Sequence, residues 1–595
     1  VINNLNAVVS GSDVSALWAY GGTLTVNTGS IAAPNGGLIG SANAGYNLDS
    51  TVILNNVHSI ENRWFIQDAG DNNTLKVTVN NSTLAGDIIT GSASTVTVNL
   101  ANSTLTGKST VSGSAVLDLN LYDSGTWYVV DNSTLTNLTA AQTARVNFPA
   151  PVTNGATTTY HTLTVRNNLG GEGGTFAMHT DIAANKADLL AIGGTSSTDA
   201  HRITLTNTND NAITGTESPL LLVQTAGGNA TFTGTISAGV YAYSVQNGAQ
   251  LEAALNLPDT NWYLYRAGLS DMGNAIVNTS AMLGYDWFYS LDALYLRMGD
   301  VRQENLANPA NARASSGNLW LRGRGYRLNA DAHMGGRAFE ENAYGITAGA
   351  DKAFRHNSSN SNNATASTTL IGGFLDAGRI DRDFSGANST GYTTNLSAGL
   401  YATYLRQTGW HADLVLKADR YKHHFDTTNG GLLPVTGDYT NNALGASLEI
   451  GRRLQRADGC WVEPMVQAAA TWLQSATYTT GPANTAAALG VSVGSTRVAQ
   501  YRALVRFGRC FANSRWLPYG KFGVVRTDLS GGALHIADAA SAIFVPDSDG
   551  WRVEFGAGTS YLINARSQLY FDYEYDRAPH YERPWALNLG YRYGW

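Results

Sequence analysis

The sequence predicts an all-β protein: a parallel β-helix with a capping junction, then a 12-stranded antiparallel transmembrane β-barrel with an α-helix in its lumen. The first observation is the C-terminal strand. Trp585, Leu587, Leu589, Tyr591, Tyr593 and Trp595 alternate with Ala586, Asn588, Gly590, Arg592 and Gly594. Side chains alternate across a strand with a period of two, so one face is aromatic and oily while the other accepts water and an arginine. That is how a strand between lipid and a polar lumen reads. The second observation is that the pattern recurs through residues 317–595. The third is the texture of residues 1–116, which are rich in Asn, Ser, Thr and Gly and cut by short β-branched runs such as Val77–Val79 and Val96–Val98.

Composition bounds the classes. At 595 residues, with only 14% charged residues, 64 Gly and 29 Tyr, the chain holds more than one core and has no run of about 20 apolar residues for a membrane-spanning helix. Membrane must therefore be met by strands. Residues 1–260 carry 17 acidic against 7 basic side chains, a net of −10, leaving +3 for the rest of a chain whose total is −7. No basic stripe is available to replace phosphate counterions, which excludes nucleic acid as a partner. Val1 opens the chain without Met and without a signal peptide's regions, reading as a processed or truncated product.

Taken in order, the string Asn-Ser-Thr-Leu at Asn81, Asn102 and Asn132, spaced by 21 and 30 residues, reads as near-repeats of a parallel β-helix. From residue 117 to 265 a capping segment is expected, since a solenoid's open end needs covering and Trp127, Phe176, Phe232 and Trp262 are suitable plugs. Residues 266–316 form a linker. Within it, Leu283, Trp287, Leu291, Leu294 and Met298 recur at spacings of three and four, predicting a helix over about 274–302. Asp286, Ser290 and Asp292 make it too polar for lipid, so it belongs inside the barrel. Alternation then marks twelve strands in residues 317–595, with long connections at about 424–440, 475–495 and 528–548. An even strand number closes a sheet without edges.

Gly125-Thr126-Trp127, Gly171 to Phe176, Ala238 to Tyr243 and Trp262-Tyr263-Leu264 resemble the autochaperone junction of pertactin-like and AIDA-like type V autotransporters. Tyr344-Gly345-Ile346, Gly349 to Lys352, Gly399-Leu400-Tyr401, Asp413, Leu448-Glu449, Trp461 to Pro464 and the terminal Trp595 resemble that family's β-domain. The resemblance implies an outer-membrane translocator that exports and displays residues 1–265 on the cell surface for adhesion or self-association. It also implies partners: outer-membrane lipids, periplasmic chaperones, and a barrel-assembly machinery reading Leu589, Tyr591, Tyr593 and Trp595. One barrel per chain is expected, with a host or bacterial surface ligand of unread identity. Two alternatives stand beside it: a passenger with an enzymatic module upstream of Val1, and a plugged outer-membrane channel.

Gly273 to Thr279 is similar to the cleavage region of pertactin-type members, which makes Asn274 the candidate for self-cleavage by asparagine cyclisation. Glu449, Glu463, Glu554, Asp572 and Glu574 are the lumenal carboxylates available to move its protons. Asn274 also reads as a helix cap. Cys460 and Cys510 fall at the periplasmic ends of neighbouring strands, where a disulfide and two free thiols are both compatible with the sequence. His423-His424 has no third ligand at metal-like spacing and reads as rim-exposed. No serine elbow or Ser/His/Asp set stands out in the passenger, and no cofactor or metal site is expected.

Overall fold

The computed structural model describes residues 1–41, 49–68, 72–91, 93–155, 157–197, 199–209, 213–282, 284–291, 316–331, 336–356, 367–385, 389–429, 433–481, 488–510, 515–537, 542–545, 549–564 and 566–595. The chain divides into two units, Val1–Ala267 and Gly268–Trp595.

The first unit is a parallel β-solenoid. Its turns stack with a period of 21 residues where the repeats are cleanest, so that Thr74–Asn80, Thr95–Ala101 and Val116–Tyr122 lie in register. Alternation buries Val77, Val79, Val96, Val98, Leu100, Leu117, Leu119 and Leu121 completely. Asn81 and Asn102 hold positive φ at one corner, a conformation that asparagine tolerates. Their side chains bond to each other, Asn102 Nδ2 donating to Asn81 Oδ1 at 2.7 Å. The third Asn-Ser-Thr-Leu copy stacks elsewhere, with Ser109 N donating to Ser133 Oγ at 3.2 Å. Its spacing of 30 is irregular because it serves a different corner.

The parallel ladder crosses residue 117 without interruption and continues through Thr175–Asp181, Ala200–Asn207 and Thr231–Thr233. Short antiparallel hairpins branch off at Val152–Asn154 with Thr157–Thr159 and at Thr175–Asp181 with Lys186–Ala187, and the stack itself closes where Leu220–Gly228 meets Trp262–Leu269 antiparallel, beside the hairpin of Thr235–Ala238 and Tyr241–Asn247. Antiparallel strands end the stacking direction. Trp127 sits in an ordinary turn, with Nε1 donating to Gly107 O at 2.9 Å. Phe176, Phe232 and Trp262 instead belong to a ring column through His201, with centroid separations of 5.7, 5.4 and 5.6 Å.

The second unit is a closed antiparallel barrel. Its strands are β1 (Gly317–Ala330), β2 (Phe339–His356), β3 (Ser367–Phe384), β4 (Thr390–Arg406), β5 (Trp410–Asn429), β6 (Leu433–Arg452), β7 (Cys460–Leu473), β8 (Thr496–Arg509), β9 (Trp516–Gly531), β10 (Gly550–Leu562), β11 (Ser567–Arg577) and β12 (Tyr581–Gly594). Neighbours in the chain are neighbours in the sheet, and β12 pairs back onto β1 from Asn318↔Gly594 to Ala330↔Tyr581. Leu587, Leu589, Tyr591, Tyr593 and Trp595 face outward, while Asn588 and Arg592 are buried. Among the described residues no helix is long and apolar enough to cross a membrane.

The three expected long connections carry strands in their described residues. Residues 424–440 lie mostly in the long hairpin of β5 and β6, whose rings pack on a further strand: Tyr439 stacks on Tyr478 at 4.9 Å and Phe425 meets it edge-on at 6.2 Å. That further strand, Ala476–Thr479, joins Gly490–Val493, Leu534–Ala537 and Ala542–Phe544 in a small sheet built from the other two long connections. His423 also departs from expectation. Alternation turns it inward, buried, with Nδ1 2.8 Å from Thr393 Oγ1, whereas His424 faces out.

The lumen is filled with paired charge. Arg324 forks onto Asp376, which also accepts from Thr347 Oγ1 at 2.6 Å; Arg382 Nε lies 2.6 Å from Glu341. Lys521 bridges Asp572 and Glu574 at 2.8 and 2.5 Å, and Arg583 closes on Glu574 and Asp576. Buried charges persist only where partners compensate their lost hydration.

Two predictions follow from these cores. Arg583→Met removes the buried ion pairs with Asp576 and Glu574, so the barrel's urea midpoint should fall by an amount equivalent to about 3–5 kcal/mol; an unchanged midpoint would contradict the pairing. In the solenoid, burial pushes the His201 imidazole below its usual pKa, while Asp199 and the Gly174 carbonyl pull the other way. The folded ring stays neutral where the unfolded chain's histidine, at about 6.5, takes up a proton. Its contribution is therefore full above about pH 6.5 and is lost as pH falls toward the depressed folded value. The solenoid's melting temperature should drop over that window, and His201→Leu should flatten the drop.

Candidate functional site

The lumen holds the chain segment that leads into the barrel. Helix α1 (Asp271–Ala281) begins at Ser270, whose Oγ accepts from Gly273 N at 3.0 Å, and Asp271 places an acid in the first turn. Every residue from Met272 to Ala281 is buried. Two of the polar ones bond within the helix: Thr279 Oγ1 donates to Ala275 O at 2.6 Å and Ser280 Oγ to Ile276 O at 3.4 Å. A lipid-facing helix has no use for such residues, but a lumen lined with polar side chains accommodates them.

The chain is helical again over 285–291, after turns at Met282 and Gly284. The expected single helix is thus two pieces, starting three residues earlier than predicted. A Cβ at Gly284 would come within 2.7 Å of Val498 Cγ2 on the barrel wall, so glycine lets the chain pass close to β8. Leu283 and residues 292–302 of the predicted helix lie outside the described residues.

Residues 285–291 seat an aromatic cluster against the wall. Tyr289 meets Tyr326 edge-on at 4.3 Å and donates to Gly325 O at 3.0 Å, with the Arg583 guanidinium 4.8 Å from its ring. Trp287 lies over Gly445, where a Cβ would be 2.4 Å from its ring. Lys417 approaches the same indole at 5.4 Å, donates to Ser290 Oγ, and pairs with Asp419 at 2.8 Å. The barrel wall grips the segment through charge and rings together.

Asn274 is fully buried one turn into α1, and Ser270 rather than Asn274 caps the helix. Its Oδ1 accepts from Arg337 N at 2.6 Å and from Asn278 Nδ2 at 3.2 Å; its Nδ2 donates to Ser385 O at 3.5 Å. Arg337 and Ser385 stand in the β1–β2 and β3–β4 connections, and Arg337 also pairs with Asp271 at 2.8 Å. The five lumenal carboxylates have their recorded partners elsewhere. Glu449 and Glu463 flank His411 at 3.7 and 3.6 Å, Glu554 meets Arg502 at 3.2 Å, Asp572 accepts from Tyr519 at 2.6 Å, and Glu574 pairs with Lys521.

Cys460 and Cys510 carry no disulfide, and both are half-buried. Cys460 pairs with Arg509 and Cys510 N bonds to Gly459 O, so consecutive register positions turn the two thiols to opposite faces. Arg337, Ser385 and Lys417 escaped the sequence reading. Lys417 was recoverable, since it shares the inward parity of Asp413 and Asp419; the two loop residues carry no such signal.

Comparison with known proteins matches residues 319–574 to the family described as the autotransporter beta-domain and residues 135–266 to pertactin. The pertactin autotransporter of Bordetella bronchiseptica is 27% identical over 80% of this chain and 53% of its own length. The BrkA autotransporter of Bordetella pertussis is 27% identical over 98% of this chain and 56% of its own. The chain thus spans about half the length of these curated relatives. The solved β-domain of the Bordetella autotransporter BrkA is 26% identical, covering 47% of this chain and 100% of that one, with a TM-score of 0.38. The two family matches fall on different units: the solenoid carries the pertactin match, and the barrel is an autotransporter beta-domain, the outer-membrane barrel of the autotransporters.

Proposed function

We propose that residues 266–595 anchor in the outer membrane and export the preceding β-helix, which is displayed on the cell surface for adhesion or self-association. The supporting observation is a closed barrel whose lumen holds the leading segment, entered at the end carrying the long connections. Long connections face outward in outer-membrane barrels, and α1 starts among them at Arg337 and Ser385. The solenoid is acidic, at −10 over residues 1–260, and exposes Trp18, Tyr20, Tyr122 and Tyr128 beside its asparagine corners. Aromatic and amide groups on a rigid scaffold suit recognition of another surface.

Residues 117–265 serve as the junction that folds first, its ring column of Phe176, His201, Phe232 and Trp262 giving the remaining turns a template to stack upon. Periplasmic chaperones and the barrel-assembly machinery would deliver the barrel, the latter through Leu589, Tyr591, Tyr593 and Trp595. Asn274 is a helix-packing residue in this reading rather than a cleavage site: its Oδ1 accepts from Arg337 N and Asn278 Nδ2 and its Nδ2 donates to Ser385 O, so both ends of the amide are engaged on a helical backbone.

Deleting residues 117–260 should leave the remaining passenger on intact cells digestible by added protease while the barrel keeps its heat-modifiable gel mobility. A passenger that stays resistant would remove the junction's role. The intact protein should run as one 63.2 kDa species; fragments divided after Asn274 would instead identify it as the self-cleaving residue.

A further inference from the structure

β5 carries His411 and Asp413 two residues apart, so both side chains point into the lumen. The register sets Asp413 opposite Glu449 on β6 and His411 opposite Gly451. A Cβ at 451 would lie 2.6 Å from His411 Nε2, so glycine alone leaves the imidazole room to lie across β6. There Nε2 stands 3.7 Å from Glu449 Oε1, and Nδ1 stands 3.6 Å from Glu463 Oε1 on β7. His411, Asp413 and Glu449 are 2%, 1% and 2% exposed. Neither nitrogen of His411 makes a hydrogen bond among the described residues.

These separations have a chemical meaning. An N···O distance of 3.7 Å is too long for a hydrogen bond. Two ligand atoms each about 2.1 Å from a shared ion, at angles of about 110–120°, stand roughly 3.4–3.6 Å apart. One ligand atom each from His411, Asp413 and Glu449 already falls within 4.8 Å of the others, so small side-chain rotations complete the set. Glu463 lies opposite Arg506 in the register and stands outside this three-residue set.

We propose that His411 Nε2 and the carboxylates of Asp413 and Glu449 bind one divalent first-row transition ion, with zinc the best fit. One imidazole nitrogen and two carboxylate oxygens form an ordinary donor set for such ions, with a position left for water. The ion clips β5 to β6 at the short-turn end of the lumen. Gly451 is the sequence feature that makes the site, because any larger residue displaces the ring.

The test uses the full chain refolded in detergent, stripped with a chelator and titrated with Co2+, whose visible absorption reports its ligands. One equivalent per chain should bind and be displaced by Zn2+. His411→Ala, Asp413→Asn and Glu449→Gln should each weaken affinity about tenfold or more, while His424→Ala on the outer face should leave it unchanged. Gel mobility before and after boiling verifies that each variant still forms a barrel, and the two isosteric changes keep the packing. Absence of a Co2+ spectrum in the unaltered chain, or full uptake by His411→Ala, would overturn the site.

Discussion

In hydrocarbon an unpaired backbone N–H or C=O costs several kcal/mol, and this forces β1 onto β12. Once Asn318 to Ala330 are paired with Gly594 to Tyr581, no sheet edge remains. Closure then dictates parity. Residues of one parity meet lipid, as Leu589 and Phe555 do, and those of the other parity turn inward whatever their charge. Twelve strands leave a lumen too wide to fill with wall side chains alone and too narrow for more than a slender segment. The buried ion pairs and the aromatic cluster around residues 285–291 answer both conditions.

The solenoid solves the same backbone problem differently, by stacking parallel turns whose interiors are Val, Leu and Ile. Its ladder would continue indefinitely if every turn were alike. It ends where Leu220–Gly228 accepts an antiparallel partner and the ring column reaches Trp262. His201 is the one polar ring in that column, and its burial there holds the imidazole below its usual pKa.

Much of the barrel was legible because two solvents impose a period of two. Tyr501 against Arg502 and Phe571 against Asp572 reveal their strands without any neighbour's help. Legibility failed where that contrast fades. Beyond the membrane the β5–β6 hairpin carries no lipid-facing signal, so residues 424–440 read as a loop although Phe425 and Tyr439 pack on Tyr478. The close approach at Gly284 was hidden because its neighbour, Val498, is more than 200 residues away in the sequence. The His411 cluster was invisible for a similar reason: its members come from separate strands and meet only through register.

The central claim is that the leading segment occupies the lumen and seals it while the passenger stands outside. Single-barrel conductance in a planar bilayer tests this directly, comparing the full chain with one lacking residues 271–291. The account predicts little steady current from the full chain and a marked increase after the deletion. Equal, sustained conductance from both would contradict it and identify the barrel as an open channel.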